Sequence, residues 1–254
     1  MYKRQLRYAL KTLRREVASS STVADRFSQE LQIAETVHHP NVVETYCTGE
    51  TPAGAPYMVS QYCSNGSAEA WLQEYGPVPV ETAIRWMIDT AQALGYLWDE
   101  HHLVHRDIKP GNLLIGRDHR LKVIDFGIAA THRRPDARLT QLGQFVGSAS
   151  YMPPEQVLNP DDLDVRTDLY ALGATFFELL VGTPPFDGAN PGAILRSKQL
   201  RAAPRTGGAR GDLPPLLAEC IDSLLSQHRE HRPDHPRQIV RRLQALAAEG
   251  HVHD

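Results

Sequence analysis

The stretch from Leu103 to Gly127, LVHRDIKPGNLLIGRDHRLKVIDFG, decides the reading of this 254-residue chain. Two short apolar runs, Leu113-Leu114-Ile115 and Leu121 to Ile124, flank the polar turn Gly116-Arg117-Asp118-His119-Arg120. That pattern predicts a β-hairpin with a five-residue connection. Asp107 and Asn112 precede the first strand, and Asp125 follows the second. A hairpin brings its outer ends together, so these groups converge although 18 positions separate Asp107 from Asp125. Carboxylate and amide oxygens suit Mg²⁺, which keeps several waters and shares its shell with substrate phosphates. Lys109 adds a cation beside them.

The ordered set His105-Arg106-Asp107, Lys109, Asn112 and Asp125-Phe126-Gly127 resembles the catalytic loop and metal-binding motif of eukaryotic-like, bacterial-type serine/threonine protein kinases. A lone Asp followed by Asn five residues later is common by chance. The whole set, at this spacing and around a predicted hairpin, is not. The resemblance implies an α+β, two-lobed protein-kinase-like fold with a truncated β-rich N-lobe and a mainly helical C-lobe. It implies ATP and Mg²⁺ as cofactors and transfer of the γ-phosphoryl group to protein Ser or Thr hydroxyls. Asp107 would accept or orient the hydroxyl proton, and Lys109 would offset charge on the γ-phosphate. Asn112 and Asp125 would bind Mg²⁺. Lys109, two residues after Asp107, resembles the Ser/Thr-specific pattern rather than the tyrosine-specific one.

Composition agrees with a globular protein, at 41% hydrophobic and 22% charged residues. A formal charge of −3 gives no reason to expect nucleic acid or an anionic membrane as partner. Cys47, Cys63 and Cys220 are scattered without metal or disulfide spacing, which fits a reduced, cytoplasmic setting. No signal-peptide core opens the chain. The longest apolar run, Leu169 to Gly182, contains Glu178 and is too short to span a bilayer.

The N-lobe is expected over residues 1–63 and the C-lobe over 64–254. Residues 6–13 read as a strand carrying Lys11. Tyr8-Ala9-Leu10-Lys11 resembles the family strand whose Lys holds the α- and β-phosphates of ATP. Residues 23–37 have Phe27, Leu31, Ala34 and Val37 at helical spacing. Glu30 lies on this helix, and by resemblance is the acid that pairs with Lys11. Tyr57-Met58-Val59 reads as a strand, and Ser60-Gln61-Tyr62-Cys63 as the link between lobes. The resemblance puts Ala9, Gln61, Cys63 and Leu114 with Lys11 and Glu30 around ATP. Ser60 is either the back of that pocket or simply a small core residue.

The C-lobe pattern predicts helices at Ala68–Glu74, Val80–Glu100, Leu169–Leu180, Leu216–Ser226 and Pro236–Glu249. Between them, Val146 to Glu155 resembles the end of a kinase activation segment, with Pro153-Pro154-Glu155 for the usual Ala-Pro-Glu. By resemblance Glu155 pairs with Arg232, Asp168 supports the catalytic-loop backbone, and Ser148 is a hydroxyl near Asp107 and Lys109. Arg106 would receive a phosphate from the segment, with Thr140 the candidate acceptor. His228, His231 and His235, with His251 and His253, lie in or beyond a loop without cysteines, which speaks against a metal site.

One feature departs from the family. The ten residues before Lys11 hold no glycine, so the Gly-rich loop that covers phosphates is not seen. The expectation is therefore a feeble kinase, with a nucleotide-binding scaffold as the alternative reading. A small-molecule phosphotransferase of related fold is disfavoured by Arg106, Lys109 and Pro154-Glu155, which serve a protein-substrate segment. The expected partners are proteins with Ser or Thr acceptors, the chain itself among the candidates.

Overall fold

The computed structural model describes residues 7–12, 31–52, 54–125 and 148–250. Glu30, Phe126, Gly127 and Thr140 lie outside the described residues.

The N-terminal part is a three-stranded antiparallel sheet in the order β1-β3-β2, with β1 Tyr8–Thr12, β2 Thr45–Glu50 and β3 Pro56–Gln61. Lys11 pairs with Met58, Ala9 with Ser60, and Ser60 with Thr45. Directly paired residues share a sheet face, and side chains alternate with period two. Ala9, Lys11, Met58, Ser60 and Thr45 therefore point the same way. Two sequence expectations change here. Ser60 and Gln61 belong to the strand rather than to the link after it. The strand Thr45–Glu50 has no counterpart in the pattern reading. Of the expected 23–37 helix, residues 31–34 are helical, with Leu31, Ala34 and Val37 buried.

The rest is mainly helical. Helix α1 spans Ala68–Tyr75 and α2 Val80–His101. The predicted hairpin follows as β4 Leu113–Ile115 and β5 Leu121–Val123, antiparallel, with Leu113 opposite Val123. Next come α3 Glu155–Leu158, α4 Val165–Val181, α5 Pro191–Leu200, α6 Thr206–Ala209, α7 Pro215–Leu224 and α8 Pro236–Gly250. Helices α2 and α4 form the centre. Met87, Ala91, Leu94 and Leu97 from α2 and Leu169, Leu172, Phe176 and Leu179 from α4 are almost fully buried in one core. A Cβ on Gly173 would lie 2.7 Å from Leu224 Cβ, so only glycine lets α4 and α7 approach this closely.

The hairpin is fixed at both ends. At the turn, Trp86 Nε1 of α2 donates to His119 O (3.0 Å). The fully buried Asp89 accepts from Arg120 Nε (2.8 Å to each oxygen) and from Leu121 N (3.0 Å). Along its side, Val43 N donates to Val123 O and Val123 N to Asn41 O, at 3.0 and 2.8 Å. These bonds stitch the segment after the N-terminal helix to the hairpin. A buried carboxylate with this many donors leaves little freedom for the strands it holds.

Candidate active site

The open end of the hairpin carries the chemistry. Asn112 O accepts from Ile124 N (3.1 Å), which sets Asn112 beside the residues leading to Asp125. Asn112 Nδ2 donates to Asp107 O (2.8 Å) and Asp107 Oδ2 (2.9 Å). Lys109 Nζ donates to the same Oδ2 (2.8 Å) and to Ser148 Oγ (3.0 Å). Ser148 Oγ in turn donates to Asp107 Oδ1 (3.2 Å). Asp107, Lys109, Asn112 and Ser148 thus meet, as the sequence reading expects of them. The two Asp107 oxygens differ: Oδ2 holds an ammonium and an amide, and Oδ1 holds a hydroxyl.

A buried frame positions this loop. Asp168, at the first turn of α4, accepts from His105 N (2.7 Å) and Arg106 N (2.8 Å). Burial pushes its carboxyl above the usual range, while the nearby His105 and those two backbone donors pull the other way. His105, fully buried, bonds through Nε2 to Ile124 O (2.9 Å), tying the loop to β5. Arg106 and Asp125 have left-handed backbones, with φ of 68° and 58°. Such conformations in non-glycine residues persist where surrounding bonds over-determine them. Arg106 O accepts from Gln156 Nε2 (3.0 Å) of α3. Its own Nε is buried without a hydrogen-bond partner among the described residues, and burial lowers the guanidinium pKa.

Arg232 grips Glu155 through both guanidinium ends, Nη1 to Oε1 (2.5 Å) and Nη2 to Oε2 (3.0 Å), and also donates to Arg166 O (3.0 Å). The Arg232 side chain is fully buried. That planar fork is the geometry a buried carboxylate needs.

On the sheet side lies a cleft of about 200 Å³ between β1, β3 and the hairpin. Ala9, Lys11, Gln61, Leu114 and Asp125 line it, as do Ala34, Val43, Met58, Ser60 and Val123. Ser60 lines the cleft while staying 8% exposed. Cys63 lies two residues past the end of β3 and does not line the cleft. Val43, Met58 and Val123 escape the sequence reading because buried aliphatics carry no signature beyond core.

Lys11 Nζ meets Asp125 Oδ1 at 2.6 Å, with side chains 38% and 41% exposed. A pair so open to water adds under about 1 kcal/mol and separates readily when a phosphate or metal competes. Its expected partner Glu30 is outside the described residues. The donor set fits Mg²⁺: Asp125 supplies a carboxylate, and Asn112, whose Nδ2 is engaged by Asp107, turns its oxygen elsewhere. Among the described residues there is no group of three or more His, Cys, Asp or Glu that could hold a metal ion. His235, one of the loop histidines, instead meets Asp99 Oδ1 at 2.9 Å.

The chain matches the protein kinase domain over residues 2–242. The chain belongs to the protein kinase domain family. Serine/threonine-protein kinase PknB of Mycolicibacterium smegmatis is 34% identical over 228 residues, 88% of this chain and 36% of that protein. PknB of Mycobacterium tuberculosis is 34% identical over 84% of this chain and 35% of its own length. The chain therefore spans about a third of these curated relatives. Among solved kinase structures, Rad53 1-466 in complex with AMP-PNP superposes with a TM-score of 0.72 at 22% identity, covering 92% of this chain and 56% of that one. The Mycobacterium tuberculosis PknI kinase domain gives 0.69 at 25% identity, covering 94% and 85%. The two-lobed α+β kinase fold follows from these, and the family uses ATP and a divalent metal and acts on proteins. No helix among the described residues is long and apolar enough to cross a membrane.

Proposed function

We propose that this kinase domain transfers the γ-phosphoryl group of ATP to Ser and Thr hydroxyls of protein substrates. The observation that carries the proposal is the asymmetric Asp107 carboxylate. Its Oδ2 is engaged by Lys109 and Asn112, and its Oδ1 accepts from a serine hydroxyl, Ser148. An acceptor hydroxyl presented to Oδ1 would have its proton directed to that oxygen and its lone pair directed away from it. Lys109, within 3.0 Å of both Asp107 and Ser148, stands where it can offset charge on the phosphoryl group in transit.

Lys11 would hold the α- and β-phosphates, with Glu30 holding Lys11, and the adenine would fill the cleft between Ala9, Gln61 and Leu114. Asn112 and Asp125 would hold Mg²⁺, which neutralises phosphate charge when bound. Catalysis here is positioning and electrostatics, with no covalent chemistry asked of the protein. Arg106 would receive a phosphate carried by the activation segment. Thr140 is the acceptor favoured by sequence, and its phosphate would supply charge and three acceptor oxygens.

The test is transfer from γ-labelled ATP with Mg²⁺ to casein and to the chain itself, followed by phosphoamino-acid analysis. Label on phosphoserine and phosphothreonine is expected. No transfer, or label on tyrosine alone, overturns the reading.

A further inference from the structure

Helix α5 contributes an ammonium where a core side chain would be expected. Lys198 is 1% exposed and points inward with Ile194, one turn before it. Its Nζ donates to Ser150 O (2.6 Å) and Met152 O (2.8 Å). It lies 5.1 Å from the centroid of Tyr170 of α4 and 5.5 Å from that of Phe186. The two carbonyls belong to the segment that begins with Ser148, the hydroxyl touching both Asp107 and Lys109. Other contacts hold that segment too, and Ala149 is fully buried against Phe186 and Ile194. Tyr151 Oη donates to Glu178 Oε2 (2.5 Å), and Tyr151 N and Met152 N bond back to Ser148 O at 3.2 Å.

We propose that Lys198 is a positioning residue for acceptor-protein binding: it ties α5 to the Ser148–Met152 backbone and so holds the acceptor-facing segment in register with Asp107. The proposal rests on the phosphotransfer reading above for its consequence, though not for the contact itself. Burying an amine carries a desolvation cost that its two carbonyl bonds offset in part, whereas an aliphatic residue would fill the same space without it. The short distances suit a charge-assisted bond. Burial and the neighbouring Arg232 push the Lys198 ammonium down to about 7, against the pull of Glu155. The charged groups facing Lys198 are Arg232, itself 4.9 Å from the Tyr170 ring, and Glu155 of α3. Deprotonated, Lys198 keeps two N–H donors and loses the charge that shortens the bonds. The hold on the segment then weakens as pH rises.

The experiment compares the chain with Lys198→Met and Lys198→Arg. With casein as acceptor, Lys198→Met is expected to raise the acceptor KM roughly tenfold, the loss of a bond to a charged group. The KM for ATP should stay within about twofold. In the unsubstituted chain the acceptor KM should climb between pH 6 and 8 while that for ATP stays level. Lys198→Arg, charged at every pH used, should abolish the climb. Backbone hydrogen exchange at residues 150–153 should be faster in Lys198→Met, a readout that needs no transfer. If the unsubstituted chain transfers nothing, the function reading fails and hydrogen exchange still decides the role of Lys198. Unchanged exchange and acceptor KM in Lys198→Met overturn the proposal. So does a parallel rise of both KM values with a lowered Tm, which would mark a general structural role. Should Lys198→Met not fold, Lys198→Gln takes its place, and unchanged exchange at residues 150–153 with an unchanged acceptor KM in that variant refutes the proposal.

Discussion

Among the described residues, Asp107 Oδ2 accepts from Lys109 and Asn112 and Oδ1 from the Ser148 hydroxyl, an asymmetry that suits the general-base role proposed for it. Replacing Asp107 by Ala should lower kcat by about two orders of magnitude or more, the range for a general base. Nucleotide affinity should survive, because the cleft is lined from β1, β3 and the hairpin and not by Asp107. Stopped-assay kinetics beside calorimetry of ATP binding check both halves. Asp125→Asn tests the other end of the hairpin. It keeps volume and removes a charged oxygen, so affinity for Mg-ATP should fall while affinity for metal-free ATP changes less. Equal Mg-ATP affinity in calorimetry would remove Asp125 from the metal site. Asp107, Lys109, Asn112 and Asp125 were legible in the sequence because their spacing is rigidly tied to a hairpin. Lys198 was not, since a lysine on a polar helix face is solvated by default. Only the packing reveals that this one points inward.

At the scale of elements, the hairpin works because it is clamped at its turn by Trp86 and Asp89 and at its open end by His105. Its alternating apolar runs and polar turn made it readable. Helices α2 and α4 were readable too, through long apolar periodicity. Strand β2 was not. Tyr46 is 48% exposed, the register shifts between Thr45 and Cys47, and no residue of the strand is buried. Its place comes from pairing with β3, which sequence periodicity cannot encode. Helix α5 was hidden for a related reason: its buried positions are Pro191, Ile194 and Lys198, and the lysine breaks the apolar spacing. The closest helix contact offers a direct test of packing. Gly173→Ala would put a methyl 2.7 Å from Leu224 Cβ, backed by Leu225 Cγ at 3.3 Å. Forcing α4 and α7 apart should destabilise the fold by about 1–3 kcal/mol. Denaturant unfolding should show a lower midpoint with little change in slope. An unaltered midpoint would mean that the two helices can slide at no expense.

Across the whole molecule, α4 is the common support. It carries Asp168 to the catalytic loop, Tyr170 to Lys198 and Arg232, and Glu178 to Tyr151. Burial pushes the Glu178 carboxyl upward, so this helix concentrates perturbed acids and rings against the loops it holds. Such an arrangement makes global stability depend on pH in a way that one residue can isolate. Lys198 has a folded-state pKa of about 7 against 10.5 in water. Below pH 7 the amine is protonated in both native and unfolded chains, and its full burial penalty is present. Above 10.5 it is neutral in both, and the penalty is gone. Between these limits the unfolded chain holds a proton that the native one lacks, so this group makes stability rise with pH. The slope cannot exceed about 1.4 kcal/mol per pH unit for one proton. Lys198→Met removes the titration and leaves every other group in place. The unfolding free energy of the unsubstituted chain minus that of Lys198→Met should therefore climb from pH 7 to 9.5, measured by urea denaturation at fixed ionic strength. A difference that stays level over that interval would mean that the amine reaches water in the native state, in conflict with its 1% exposure.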